Sequence, residues 1–271
     1  MSDTAISLPR GNETVLLEQQ GNVGLITLNR PDRYNAMVPE SSTGLMEALA
    51  YCENEASIRA VVLTGAGKGF CAGADMAEFA TEGITGVHVS GGIQSMYGPI
   101  VQRLMKMPKP IIAAINGSVA GVGISFALAA DLRVMEPKSN MRFAFINIGL
   151  GTDGGCGWLL TRQVGYSRAF EIAIEGEKIH ADRCYELGLV NKIVEEGTLL
   201  EKAMEWAHKL AARPTLAVGV TKSVFNHALE NPFATNMYYE ADQQAKCIES
   251  DDHKIGVMSF VMKQQPTFTG K

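Results

Sequence analysis

The stretch from Pro110 to Asp131 constrains this chain more than any other. Ile111–Ile115 is a short, continuously apolar run, which suits a strand buried on both faces. Asn116-Gly117 breaks it, and Gly121-Val122-Gly123 leads into a segment rich in Ala and Leu that predicts a helix over Ile124–Ala130. A strand, a glycine-rich turn and a helix start together gather unpaired backbone N–H groups at one place, where the helix dipole reinforces them. Such a place suits a phosphate, a carboxylate or an oxyanion developing on a carbonyl. A tight turn whose glycines only permit close packing has the same sequence. A Walker loop is excluded, because no Gly-Lys-Ser/Thr follows.

A second segment repeats this pattern. Arg59–Thr64 predicts a buried strand, Gly65–Gly73 a glycine-rich turn, and a helix is expected from about Asp75. Two such turns can supply two N–H donors to one atom. Before them, Val15–Glu18 and Val23–Leu28 read as a hairpin, residues 29–36 as a loop and Glu40–Ala56 as a helix. Met1–Asn12 reads as a loose polar tail. Thr81–Gly92 is glycine-rich and hard to assign, and Ile93–Lys106 predicts a helix ended by Met107-Pro108.

Leu132–Met135 and Arg142–Phe145 then read as strands, Gly149–Gly155 as a turn and Trp158–Val164 as helix. Helices over Ala169–Ile174 and Ala181–Leu187 and a short strand over Val190–Val194 follow. From Thr198 onward the pattern is helical, with Pro214 and Pro232 in first turns and Asn231 and Ser250 as N-caps. Alternating strands and helices with a helical tail give an α/β core followed by an α-helical part.

The net charge of -5 without a basic cluster argues against nucleic acid and anionic membrane surfaces as partners. No apolar run approaches a membrane span, and Met1–Arg10 has no signal-peptide character. Cys52, Cys71, Cys156, Cys184 and Cys247 are scattered and odd in number, which favours free thiols in a reducing compartment. The ending Thr269-Gly270-Lys271 is not a peroxisomal address, so the expected location is cytoplasmic. His88, His180, His208, His227 and His253 show no metal-ligand spacing, and no chemistry is assigned to them.

Several pieces together resemble the crotonase, or enoyl-CoA hydratase/isomerase, superfamily. They are Asn29-Arg30-Pro31 with Asn35-Ala36, Leu63-Thr64-Gly65, Phe70–Asp75, Pro110–Gly123, Ile148-Gly149-Leu150, Leu187–Val190 and Pro266 with Phe268–Lys271. The resemblance implies a spiral of repeated ββα units over residues 13–200 and a C-terminal α-helical trimerisation region over 201–271. It further implies homotrimers or dimers of trimers and an acyl-CoA thioester substrate. No metal or redox cofactor is implied, coenzyme A being part of the substrate.

Carried over by position, the oxyanion donors are the backbone N–H groups of Ala74 and Val122. The family commonly has Gly where this chain has Val122, which would narrow the acyl pocket. Substrate and CoA contacts fall to Arg33, Tyr34, Ala36, Ala72, Asp75, Met76, Gly121 and Ser125. Asp75 follows the turn directly and is better placed to cap the next helix than to touch substrate. The hydratases of the family use two glutamates, and this chain has Ser125 and Phe145 at those positions. Serine without a partner is a poor base at neutral pH, and phenylalanine cannot move a proton.

One carboxylate remains near the expected reacting centre, Asp153. That position carries the catalytic acid in several isomerase branches and the nucleophile of the 4-chlorobenzoyl-CoA dehalogenase branch. The dehalogenase also needs a histidine where this chain has Gly98. Asp153 can alternatively be the N-cap of the next helix. Within the family the chain most resembles the ring-1,2-epoxyphenylacetyl-CoA isomerase and enoyl-CoA isomerase branch, through Tyr97 with Pro99, Trp158-Leu159-Leu160 and the Phe268–Lys271 end. That resemblance implies a single-base proton shift. Hydratase-like or thioester hydrolase activity, or a non-catalytic acyl-CoA-binding homologue, are the other readings.

Overall fold

Residues 4–6, 13–79 and 85–271 are described by a computed structural model. A short strand β1 (Thr4–Ile6) pairs with β2 (Val15–Gln20), where the sequence reading expects a loose tail; the rest of that tail lies outside the described residues. The predicted hairpin forms as β2 and β3 (Val23–Leu28), antiparallel in register from Val15 with Leu28 to Gln20 with Val23. Helix α1 (Pro39–Asn54) starts at Pro39, whose missing N–H costs nothing in a first turn. Strand β4 (Ala60–Gly65) is buried along its whole length and passes into β5 (Gly69–Cys71) and α2 (Met76–Phe79).

Helix α3 (Gly86–Gly92), a π-helical stretch over Ile93–Tyr97 and α4 (Gly98–Lys106) join through residues with right-handed helical backbone angles. The helix predicted from Ile93 therefore begins seven residues earlier, while residues 80–84 lie outside the described ones. Gly86, Gly91 and Gly92 hide it in the sequence, since glycine lowers helix propensity. Next come β6 (Ile111–Ile115), β7 (Ser118–Ala120), α5 (Val122–Ala129), β8 (Leu132–Met135) and β9 (Asn140–Arg142). The strand expected over Arg142–Phe145 stops at Arg142, and Ala144–Ile148 is a 3-10 turn. Its partner strand β7 has only three residues, and Leu150 N–H bonds back to Phe145 O at 2.9 Å, curling the chain away. Then follow α6 (Cys156–Val164), α7 (Tyr166–Glu175), β10 (Lys178–His180), α8 (Ala181–Glu186) and β11 (Lys192–Ile193).

The strands form two sheets, one ordered β1-β2-β3-β4-β6-β8-β11 and one ordered β10-β9-β7-β5. The pairs β4–β5, β6–β7 and β8–β9 each give one strand to each sheet before a helix follows, which makes a repeated ββα spiral. Central strands of the first sheet are buried on both faces, so they read as apolar runs rather than alternations. Val61, Leu63, Ile111 and Ala113 pack with the main core. Ala60, Val62, Ile112 and Ala114 face the other way and are covered by Leu199, Ala203, Met204 and Ala207 of α9 (Leu199–Ala211).

Helices α10 (Thr215–Ala228), α11 (Phe233–Glu249) and α12 (Asp251–Met262) complete the chain. Pro214 and Pro232 stand at the N-caps, one residue before the first turns. Asn231 is not a cap, because its Nδ2 donates back to His227 O. Ser250 caps α12, its Oγ accepting from His253 N–H at 3.1 Å. The helical pattern ends at Lys263, and residues 264–271 form no helix or strand. They are held instead by polar bonds: buried Asp252 accepts from Thr269 N–H and Gly270 N–H, and Arg59 donates to Phe268 O. Lys222 on α10 pairs with Asp131 at 2.9 Å and donates to Leu104 O at 2.7 Å, fastening the helix to the core.

Candidate active site

The segment Asn29–Ala36 shapes the first turn. Asn35, itself in left-handed conformation, donates through Nδ2 to Gly69 O at 2.7 Å and Ala66 O at 3.0 Å. Asn116 donates from the other side to Gly65 O at 2.8 Å and Gly67 O at 2.9 Å. Two amides thus satisfy a glycine loop that has no ladder of its own. Met37 and Ala74 form an isolated parallel bridge, in which Met37 N–H bonds Gly73 O and Asp75 N–H bonds Met37 O. Ala74 N–H takes no part in that bridge.

The second turn follows β7. Val122 is the first residue of α5, so its N–H has no acceptor within the helix. Gly73 and Gly121 both have positive φ, and a Cβ on Gly73 would stand 3.1 Å from Gly121 Cα and 3.5 Å from Val122 N. The two turns are therefore in contact, so close that a side chain on Gly73 would push Gly121 back by a few tenths of an ångström.

The third turn carries Asp153. Gly154 and Gly155 both have positive φ, and a Cβ on Gly154 would meet Val122 Cγ2 at 3.0 Å and Ser125 Oγ at 3.3 Å. The turn therefore rests on the start of α5. Asp153 does not cap the next helix: the N-cap of α6 is Gly155, with no side-chain cap bond. Asp153 contributes only its backbone carbonyl, bonded by Cys156 N–H at 2.9 Å. Burial pushes its carboxyl above the ordinary range, and no donor among the described residues pulls it back. The Cys156 thiol is pushed up to about 12, by burial first and by the Asp153 charge second, so it is inert as a nucleophile. All five cysteines are free.

These turns wall one cavity of about 420 Å³. Ala72, Gly73, Ala74 and Met76 come from the first, Ala120, Gly121 and Val122 from the second, and Leu150 and Asp153 from the third. His88, Val89, Ile93, Met96 and Tyr97 close it from the helical side, and Arg142, Phe145 and Asn147 from the end of β9 onward. Asp153 is the one carboxylate among the described lining residues. No group of three His, Cys, Asp or Glu among the described residues is placed to hold a metal ion.

The other sequence-derived residues divide. Arg33 and Tyr34 are exposed and Ala36 is buried, and none of them lines the cavity. They adjoin it through Tyr34 O, which accepts from Ala72 N–H at 2.9 Å. Asp75 also stays outside: it pairs with Arg30 at 2.9 Å and accepts from Ala77 N–H at 3.2 Å, the cap of α2. The Arg30 bond holds its carboxyl below the usual range. Ser125 is the clear departure. It is fully buried beneath the Asp153 turn and does not reach the cavity, so it is not placed to touch a substrate. His88, Arg142 and Asn147 line the cavity without having been singled out. Nothing in their local sequence announces it, because β9 and α3 are too short or too glycine-rich to give a face.

A family model described as enoyl-CoA hydratase/isomerase matches residues 18–271. The chain belongs to the enoyl-CoA hydratase/isomerase family. Its similarity to 1,2-epoxyphenylacetyl-CoA isomerase of Escherichia coli (strain K12) is 37% identity over 261 residues, covering 96% of this chain and 99% of that one. A short-chain-enoyl-CoA hydratase of Clostridium acetobutylicum is 32% identical over 255 residues, covering 93% and 95%. The crystal structure of an enoyl-CoA hydratase from Bacillus anthracis superposes with a TM-score of 0.90 at 30% identity, covering 95% of this chain and 100% of that one. The crotonase fold expected from the motifs is thus the fold the enoyl-CoA hydratase/isomerase relatives share.

Proposed function

We propose that the protein is an acyl-CoA isomerase that moves a double bond, or opens a ring epoxide, by a single-base proton shift. The observation that carries this reading is Asp153: among the described residues the one carboxylate of the cavity, without a hydrogen-bond donor and raised by burial, in the cavity that Ala74 and Val122 also line. Asp153 removes a proton from a carbon acidified by the thioester and returns it further along the chain. The Ala74 and Val122 amides hold the charge that builds on the thioester oxygen. A positioned base contributes roughly 10²–10⁴ in rate and one oxyanion donor roughly 10²–10³, so both are needed at one acyl group. Coenzyme A enters as part of the substrate, and the proton shift calls for no redox or metal cofactor. Arg33 and Tyr34, beside the Ala72 end of the cavity, meet the CoA portion.

Several relatives bear hydratase names, which favours as second reading a water activated by the same Asp153. Incubation with enoyl-CoA esters in deuterated water separates the two. The isomerase incorporates deuterium at carbon and shifts the double bond without forming a hydroxyacyl ester or releasing free CoA. A hydroxyacyl product, or CoA release, would exclude it. For the assembled protein we infer a homotrimer or a dimer of trimers. That inference is supported by Phe233 and Phe260, 82% and 86% exposed on the C-terminal helices, a cost in water that packing against other copies removes.

A further inference from the structure

The cavity holds a charge that the proton shift does not use. Arg142 ends β9 and lines the cavity, and its Nε donates to Gly176 O at 3.0 Å, which fixes the stem. Among the described residues its two terminal amines have neither a carboxylate nor a carbonyl partner. Among the described residues Arg142 forms no ion pair with Asp153, which lines the same cavity. A half-buried guanidinium that opens into a cavity with only Nε bonded keeps its fork free for a bidentate anion.

Register tells where along a bound ester this cation lies. Ala120 is directly opposite Arg142 across β7 and β9, and Ala72 follows Cys71, the residue of β5 opposite Val119. All three line the cavity. Neighbouring strands lie about 4.8 Å apart, which puts Arg142 roughly 10 Å across the sheet from Ala72, with Ala120 between them. With the CoA arm toward Arg33, as proposed above, the acyl chain of a thioester held at Ala74 and Val122 runs toward Arg142. His88 also lines the cavity, its Nδ1 accepting from Thr85 N–H at 3.2 Å.

We propose that Arg142 binds a carboxylate carried at the far end of the acyl group, so that the substrate class is the ω-carboxy acyl-CoA ester. This rests on the acyl-CoA reading of the cavity. A planar guanidinium matches a carboxylate in a bidentate fork, and a site built for that pair rejects the neutral analogue by leaving the cation bare.

The test compares 2-hexenedioyl-CoA with 2-hexenoyl-CoA, by calorimetric Kd and by kcat/KM, for wild type, Arg142→Gln and Arg142→Lys. Wild type is expected to favour the dicarboxylic ester by about 10-fold or more. Arg142→Gln is expected to bring the ratio to near unity, and Arg142→Lys to keep part of it. The ratio is read within one variant, so a partly unfolded sample does not distort it. The same preference is expected for N-acetylcysteamine thioesters, which lack the CoA phosphates. A wild-type ratio of unity, or a ratio unchanged by Arg142→Gln, overturns the proposal. So does Arg142→Gln weakening both CoA esters equally and the truncated esters not at all, because the cation then serves a CoA phosphate. Carboxylate-dependent binding without proton exchange would remove the isomerase reading and leave this site standing. Binding of neither CoA ester would remove both.

Discussion

Gly73 and Gly121 meet back to back, so close that a Cβ on the first would stand 3.1 Å from the Cα of the second. This contact brings the two turns that carry Ala74 and Val122 to one wall of the cavity. Gly73 also has φ +94, where an L residue is strained. Gly73→Ala is therefore expected to part the turns by a few tenths of an ångström and to cost roughly 1–3 kcal/mol of stability. If the two amides act on one oxygen, kcat should fall by roughly 100-fold, the loss of about one oxyanion donor. Thermal melts and turnover on one acyl-CoA ester check both effects, and unchanged kcat in a folded variant would disconnect the turns from catalysis.

Asp153, the proposed base, also makes stability depend on pH. Its carboxyl titrates above the ordinary Asp value of about 3.9, because burial disfavours the charge. The folded chain thus holds this proton more tightly than the unfolded one. The group's stabilising contribution is complete below the unfolded value and is lost as pH rises through the folded value. At neutral pH the carboxylate weakens the fold. Asp153→Asn is expected to melt at a higher temperature than wild type at pH 7–8, with the gap closing toward about pH 4. The same variant should lose roughly 100-fold or more in turnover while keeping CoA-ester affinity. In wild type, kcat/KM should fall on the acid side with a midpoint above the ordinary Asp value.

Much of this architecture can be read from residue order. Ile111–Ile115 and Ala60–Gly65 are buried on both faces, so an unbroken apolar run is signal enough for a strand. The three-residue strands Gly69–Cys71 and Ser118–Ala120 are too short to show any period, so of the second sheet only the neighbourhood of β9 was read as strand. Asp153 stood out through the family resemblance, as the one carboxylate left near the expected reacting centre once Ser125 and Phe145 had replaced the two glutamates. Arg142 did not, since its role depends on a register across strands that the sequence does not display. Ser125 misled because its helical position faces the turn behind it rather than the cavity.

Lys222 and Asp131 give a stability prediction remote from the site. Burial drives the Lys222 ammonium down from its usual value even with the carboxylate at 2.9 Å, so neither charge is comfortable alone. Lys222→Met strands Asp131 in the interior and is expected to cost roughly 3–5 kcal/mol. Adding Asp131→Asn should restore a substantial part, because the bare charge goes and Ile111 N–H keeps an acceptor. A double-mutant cycle in urea measures the coupling. Additive losses would mean that the two groups do not act as a pair.

The chain end offers a last test. Asp252, almost fully buried, accepts from Thr269 N–H at 2.6 Å and Gly270 N–H at 2.9 Å, while Arg59 donates to Phe268 O at 3.0 Å and to Arg213 O at 2.7 Å. Arg59 lies directly before β4, so these bonds tie the final residues to the base of the first sheet. No apolar run could have held so short a segment, and hydrogen bonds to charged groups contribute roughly 1.5–3 kcal/mol each when buried. Asp252→Ala leaves the Thr269 and Gly270 amides without an acceptor and frees the end of the chain. Amide exchange at Thr269 and Gly270 is expected to accelerate by roughly 10-fold or more in that variant, with β4 and β6 still protected. Equal loss of protection in β4 would instead make the tail part of one cooperative core. Unchanged exchange at the two tail amides would show that Arg59 alone is the clamp.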